Sequence, residues 1–192
     1  MKRLGWIGLA TALLAAGLSA GCGTPAQSRQ MNLAPLDALQ LRGFMPEALR
    51  GQVALGTIDG GSETWRYWGS KVSSAALGEA IEDALRSVGV LAPLPAAARF
   101  ELSAKLVALQ QPDLKWQPQA LITENRVLAV VEYTLKERSS GAVVYQRSMR
   151  SQHAAELSEA LFSQSDRLRL ANEGALRQSL AQLLRDFAEL RP

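Results

Sequence analysis

Three stretches of alternating residues dominate the second half of the chain. From Arg99 to Gln110, Phe100, Leu102, Ala104, Leu106 and Ala108 alternate with Glu101, Ser103 and Lys105. From Asn125 to Arg138 the same pattern returns with Val127, Ala129, Val131, Tyr133 and Leu135, and beyond Ser139-Ser140-Gly141 it is led by Val143, Tyr145, Arg147 and Met149. Successive side chains on a strand point to opposite faces, so each stretch is a strand with one face in a core and one in water. The short glycine-containing link makes the last two an antiparallel hairpin. A sheet with one apolar face needs a second layer, and the rest of the chain must supply it.

Two segments have helical period. Val72, Leu77, Ala80, Ile81, Ala84, Leu85 and Val88 recur at spacings of three and four, with Ser70 as the candidate N-cap and Gly89 as the stop. Glu79, Glu82, Asp83 and Arg86 occupy the polar side. A second helix is predicted from Asp166 to Leu190, with Leu168, Ala171, Leu176, Leu180, Leu183, Leu184 and Phe187 as its apolar stripe. Gly174 interrupts it at a cost of about 1 kcal/mol relative to alanine. Arg167, Arg169, Arg177 and Arg185, interleaved with Asp166, Glu173 and Asp186, read as a solvated face.

Ahead of the first helix, Gln52 to Asp59 reads as a strand ending in the turn Asp59-Gly60-Gly61. Val90 to Leu94 is either a further short strand or a connector. The expected fold is therefore an α+β two-layer sandwich, with a mixed or mainly antiparallel sheet of about four to five strands and two helices on one face. Aromatics are only 6% of the chain against 47% hydrophobic residues, so its core must be mostly Leu, Val and Ala.

The front of the chain has a different composition. Met1-Lys2-Arg3 precedes an uncharged run from Leu4 to Ala20, and Gly21-Cys22 follows. This is the layout of a secretory leader. The run is short and glycine-diluted for a membrane span, which takes about 20 apolar residues. Leu18-Ser19-Ala20-Gly21-Cys22 resembles the lipobox of bacterial lipoproteins, with Ser19 where a large aliphatic is usual. That resemblance implies cleavage before Cys22, acylation of its thiol and new amine, and a membrane partner through the acyl chains. Gly23 stands where enteric lipoproteins retained at the inner membrane carry aspartate, so the outer membrane, periplasmic face, is the expected location.

The expected organisation is a signal peptide over 1–21, a lipidated cysteine and flexible tether over 22–50, and a periplasmic α+β domain over 51–192. Pro25, Gln27, Ser28, Gln30, Asn32, Pro35, Gly43 and Pro46 make the tether polar and proline-punctuated, and Leu36, Leu39, Leu41 and Phe44 are the pieces available to dock on the domain. The formal charge of +3 falls to about +1 once Lys2 and Arg3 leave with the leader, too small and unclustered for a nucleic-acid partner.

Catalytic and metal chemistry find few candidates. Cys22 is the only cysteine and His153 the only histidine, so thiolate and multi-histidine metal sites are excluded and no cofactor is expected. His153 reads as a surface residue just past a strand. Gly56-Thr57-Ile58-Asp59-Gly60-Gly61 fits neither dinucleotide nor P-loop spacing. Glu101 and Glu132 lie on strands that could bring them face to face across the sheet.

One cluster points outward. Trp65-Arg66-Tyr67-Trp68 places three of the chain's eleven aromatics in the loop after the first strand, and Trp116 lies in another loop, from Pro112 to Pro118. Rings beside Arg are what protein interfaces concentrate, and they also suit lipid headgroups or glycans; the alternative is a lid over the end of the core. If Val90 to Leu94 is a strand, Trp116 falls at the opposite end of the sheet from the other rings. If it is a connector, all four rings share one end.

From Val53 to Leu190 the chain resembles a family of small proteobacterial lipoproteins of unassigned role. The similarity rests on the strand ending in Gly60-Gly61, a tryptophan before a serine-capped helix, the run Ala84-Leu85-Arg86-Ser87-Val88-Gly89-Val90-Leu91, and the helix opening Arg167-Leu168-Arg169-Leu170-Ala171-Asn172-Glu173-Gly174-Ala175. The element order is also similar to the N-terminal domain of TolB and to penicillin-binding-protein activator lipoproteins, which implies an envelope protein partner and no enzymatic activity. Some members carry the label UDP-N-acetylglucosamine acyltransferase, which implies a coil of hexapeptide repeats that this sequence lacks. The resemblances together imply a non-enzymatic accessory module, with a lipid- or glycan-binding lipoprotein as the alternative.

Overall fold

A computed structural model describes residues 23–64, 69–111, 124–159 and 164–191 of the chain. Strands β1 (Val53–Asp59), β2 (Phe100–Gln110), β3 (Glu124–Glu137) and β4 (Val143–Glu156) form one sheet in that order. β1 runs parallel to β2, and the other two pairs are antiparallel. Helix α1 (Pro35–Phe44) precedes the sheet, α2 (Ser74–Ser87) crosses from β1 to β2, and α3 (Gln164–Glu189) closes the chain. This is the expected α+β architecture, with a mixed sheet and one helix more than the sequence signalled.

The core lies between sheet and helices. β3 behaves as its alternation requires: Val127, Ala129, Val131, Tyr133 and Leu135 are all fully buried. They meet Leu176, Leu180, Leu183 and Phe187 of α3, also fully buried, while Leu77, Ile81 and Leu85 of α2 complete the layer. Burying each such side chain contributes roughly 1.5–3 kcal/mol. The hairpin turns at Gly141, whose φ of 70° is in the left-handed region that glycine enters freely.

The two strands nearest the crossover depart from simple alternation. A register shift between Leu55 and Ile58 brings both toward α2, where their side chains lie against Gly78, and leaves Thr57 exposed. A second shift between Leu106 and Ala108 turns Leu109 toward the core and Val107, 54% exposed, outward. A bulge inserts one residue and so inverts the facing of everything after it. The sequence expectation that Ala108 points inward is corrected on this ground.

Val90–Leu94 makes one isolated parallel bridge, Leu91 to Val53, and otherwise connects. Helix α2 begins later than expected. Ser73 is its N-cap, accepting the Ala76 amide at 3.1 Å, whereas Ser70 is buried and serves elsewhere. Its polar side holds Arg86 between Glu82 and Asp83. β4 continues through Glu156, so His153 lies within the strand, partly buried.

Residues 23–50, assigned by composition to the tether, lie against the domain. Met31, Met45 and Leu49 are almost fully buried, and the turn Ser28–Met31 packs on α2 and α3. Methionine's unbranched chain fills irregular gaps without a periodic pattern to announce it. Of the four apolar pieces named above, only Leu41 packs on the core; Leu36, Leu39 and Phe44 face outward.

Candidate interaction surface

Because β1 and β2 are parallel and β2, β3 and β4 alternate in direction, three connections leave from one end of the sheet. They are the segments after Asp59, after Gln110 and after Glu156. The question left open by Val90–Leu94 is thereby settled for the roots of the loops: those carrying Trp65, Arg66, Tyr67, Trp68 and Trp116 spring from the same end. The five residues themselves, and Cys22, lie outside the described residues.

The roots are held by a buried polar knot. Thr64 Oγ1 accepts the Lys71 amide at 2.9 Å and donates to the Lys71 carbonyl, closing the base of the aromatic loop. The Ser70 carbonyl accepts Gln111 Nε2 at 2.8 Å and Asn172 Nδ2 at 3.2 Å. Gln111 also donates to Asn172 Oδ1 at 2.8 Å and receives Lys71 Nζ at 3.2 Å. Ser70 and Asn172 are wholly buried. Buried polar groups with partners fix geometry, because a displaced member would leave its neighbours unpaired. One residue of α3 thus fixes the departure of two loops.

The next residue on α3 fixes the front of the chain. Glu173, 1% exposed, accepts the Gln27 amide on Oε1 at 2.8 Å and receives Arg169 Nη1 at 3.1 Å on each oxygen. Arg169 also faces Asp166 at 3.5 Å. The Ala26 amide donates to the Lys71 carbonyl at 3.2 Å, and Ala26 is buried. The reading of α3's charges as a solvated face is corrected here, since Arg167 and Glu173 are buried and only Arg177 and Arg185 stand fully out. The available signal was polar Asn172-Glu173 set between Ala171 and Gly174-Ala175, where an apolar stripe should continue.

A third polar group ties β4 to the far end of α3. Asp186 Oδ2 accepts Tyr145 Oη at 2.6 Å and Arg147 Nη1 at 2.7 Å, and Oδ1 accepts Gln182 at 2.9 Å. Partial burial alone would raise the carboxyl, but these three donors outweigh it and hold Asp186 below the ordinary carboxylate range. Burial, with Asp186 beside it, pushes the Tyr145 phenol up. Burial also raises Tyr133, against the hydrogen bond it shares with Ser179 at 3.0 Å.

The remaining carboxylates do not converge. Glu101 pairs in register with Lys136 and Glu132 with Lys105, so the two acids face lysines and not each other, the arrangement that cross-strand electrostatics favours. His153, expected at the surface, packs its ring on Gly174. Among the described residues no group of three or more His, Cys, Asp or Glu is placed to hold a metal, and no helix is long and apolar enough to cross a membrane.

Fold and site define a class: a small α+β domain with a four-stranded mixed sheet, helices on one face, and a loop-bearing end braced by buried polar side chains. No family model matches the chain, and no curated protein matches it. Among solved structures it is similar to a Xanthomonas campestris protein of the DUF330 family, at 14% identity and a TM-score of 0.49, over 72% of this chain and 86% of that one. It is similar also to a candidate lipoprotein of Caulobacter crescentus (13%, 0.48, 78% and 93%) and to a minor lipoprotein of Acinetobacter baumannii (11%, 0.45, 72% and 91%).

Proposed function

We propose that this chain is a lipid-anchored module on the periplasmic face of the outer membrane, and that it acts as a non-enzymatic accessory or scaffold for an envelope complex. The observation that carries this reading is the position of Lys71. Its carbonyl holds Ala26, four residues after Cys22, while its amide and Thr64 close the root of the loop carrying Trp65 to Trp68. The acylated terminus and the aromatic loop thus share one hydrogen-bonded support at one end of the sheet. An adapter needs such an arrangement: a fixed relation between its anchor and the surface it offers a partner.

A lipid or glycan held between sheet and helices draws no support from this geometry, because Phe100, Leu102, Tyr133 and Leu176 fill that space. The acyltransferase activity implied by the sequence resemblance draws none either, since the domain is a sheet with helices and its one histidine packs against a glycine. The test is co-purification of envelope proteins with the full-length chain and with a Trp65→Ala, Trp68→Ala variant of unchanged thermal melting. Selective loss of one or more partners supports the scaffold reading. Retention of every partner refutes the aromatic loop as the binding surface.

A further inference from the structure

The outer side of α1 is built the wrong way round for a helix in water. Ala38, Leu41 and Met45 point to the domain, as a core-facing stripe should. Yet Leu36 and Phe44 are each 73% exposed and Leu39 is 60% exposed. At 100° per residue Leu36 lies opposite the core-facing stripe with Leu39 and Phe44 on either side of it, so α1 is apolar away from the core as well as toward it. Clustered exposed apolar side chains of this size mark a surface that something covers.

Charge shows what kind of surface that is. Between α1 and α3 runs a groove of about 800 Å³. Of the three outward residues Phe44 lines it, beside Leu41, so the groove flanks the apolar face on that side; of its charged groups three are arginines, Arg29, Arg177 and Arg185, against one acid, Asp37. Arg177 is set in place by donating to the Gln30 carbonyl at 2.9 Å. Apolar side chains on a helix flanked by cations are the composition of a helix lying in an anionic lipid interface.

Covalent reach selects the same occupant. If Cys22 carries acyl chains, only Gly23, Thr24 and Pro25 separate it from Ala26, whose amide is bonded to Lys71 and whose side chain is buried. Four Cα steps span at most roughly 14 Å. The domain therefore cannot hang away from the bilayer on a long leash, and one of its surfaces must rest there. We infer that the exposed face of α1, with Arg29, Arg177 and Arg185, lies on the anionic phospholipid surface and sets the orientation of the domain. This rests on the anchor proposed above and goes beyond it by naming the face that meets the lipid.

The test exploits the single cysteine. In the mature acylated chain Cys22 is blocked, so Leu36→Cys, Phe44→Cys and Ser140→Cys each create one labelling site for an environment-sensitive fluorophore. Ser140, in the exposed turn between β3 and β4, is the control. The labelled proteins are reconstituted in vesicles of three parts phosphatidylethanolamine to one part phosphatidylglycerol that include a nitroxide phospholipid. The expected result is blue-shifted emission and several-fold stronger quenching at positions 36 and 44 than at 140, falling toward the control when Arg29 and Arg185 are both changed to Glu. Emission at 36 and 44 like that at 140 puts the face in water and overturns the proposal. A blue shift without nitroxide quenching assigns it to a protein or a second copy and also overturns it. A second label taken up at Cys22 removes the anchor, and both readings fall together.

Discussion

The imidazole of His153 occupies the space that a side chain at position 174 would need. A β-carbon built on Gly174 falls 2.0 Å from His153 Cδ2 and 2.4 Å from Cγ. The glycine is thus the close approach of α3 to β4, and its helical cost of about 1 kcal/mol is offset by that packing. Gly174→Ala gains the propensity but overpacks the interface, which typically costs about 1–3 kcal/mol. The expected net effect is a loss of up to about 2 kcal/mol, recovered in part when His153→Ala is added. Urea unfolding of both single variants and the double one measures it, and purely additive losses would contradict the contact.

Why Gly174 reads as a weakness in the sequence and as a fit in the structure illustrates what was legible. The paired strands and the two long helices were, because their periods of two and near 3.6 continue over many residues. The hairpin at Ser139-Ser140-Gly141 was too. The facing of Ile58 and Leu109 was not, because a single-residue bulge inverts parity without altering composition. Nor was the docking of residues 23–50, where isolated Met31, Met45 and Leu49 do the packing. At the candidate surface the aromatic positions named from sequence lie outside the described residues, and only the roots of their loops are seen. The polar residues bracing those roots could not be named, since Ser70, Gln111 and Asn172 are 102 residues apart from first to last and meet only through the fold.

Glu173 supports the front of the chain. In Glu173→Gln an amide oxygen can still accept the Gln27 amide, but Arg169 loses a buried anionic partner. The expected cost is about 1.5–3 kcal/mol, the range for hydrogen bonds to charged groups. Amide hydrogen exchange at Ala26 and Gln27 should speed up more than exchange in β3. Unchanged protection at those two amides would show that the front of the chain is held some other way.

Asp186 predicts an acid limb. Its folded pKa is depressed, so below the ordinary carboxylate range the unfolded chain binds more protons than the folded one. The stabilisation is complete above the unfolded value and is lost as pH falls through the folded one. Between about pH 5 and pH 2, Asp186→Asn should flatten the pH dependence of the urea midpoint. An identical slope in the variant would assign the limb to other groups.

Tyr133 and Tyr145 predict the opposite limb. Raised phenol pKa values favour the neutral folded form, so their stabilisation is present below about pH 10 and is lost as pH rises beyond it. Tyr133→Phe should make the alkaline loss shallower while costing about 1 kcal/mol at neutral pH for the bond to Ser179. Comparing unfolding near neutrality with unfolding at about pH 11 separates the two effects. An alkaline slope unaltered by the substitution would contradict the assignment.

The anchor proposed at Cys22 gives both the aromatic loop and the α1 face their setting. Metabolic labelling with an alkyne fatty acid in cells carrying the natural chain or Cys22→Ala, followed by membrane fractionation, tests it directly. The expected result is label and outer-membrane location in the natural chain and loss of both together in the variant. A natural chain that takes up no label contradicts the account.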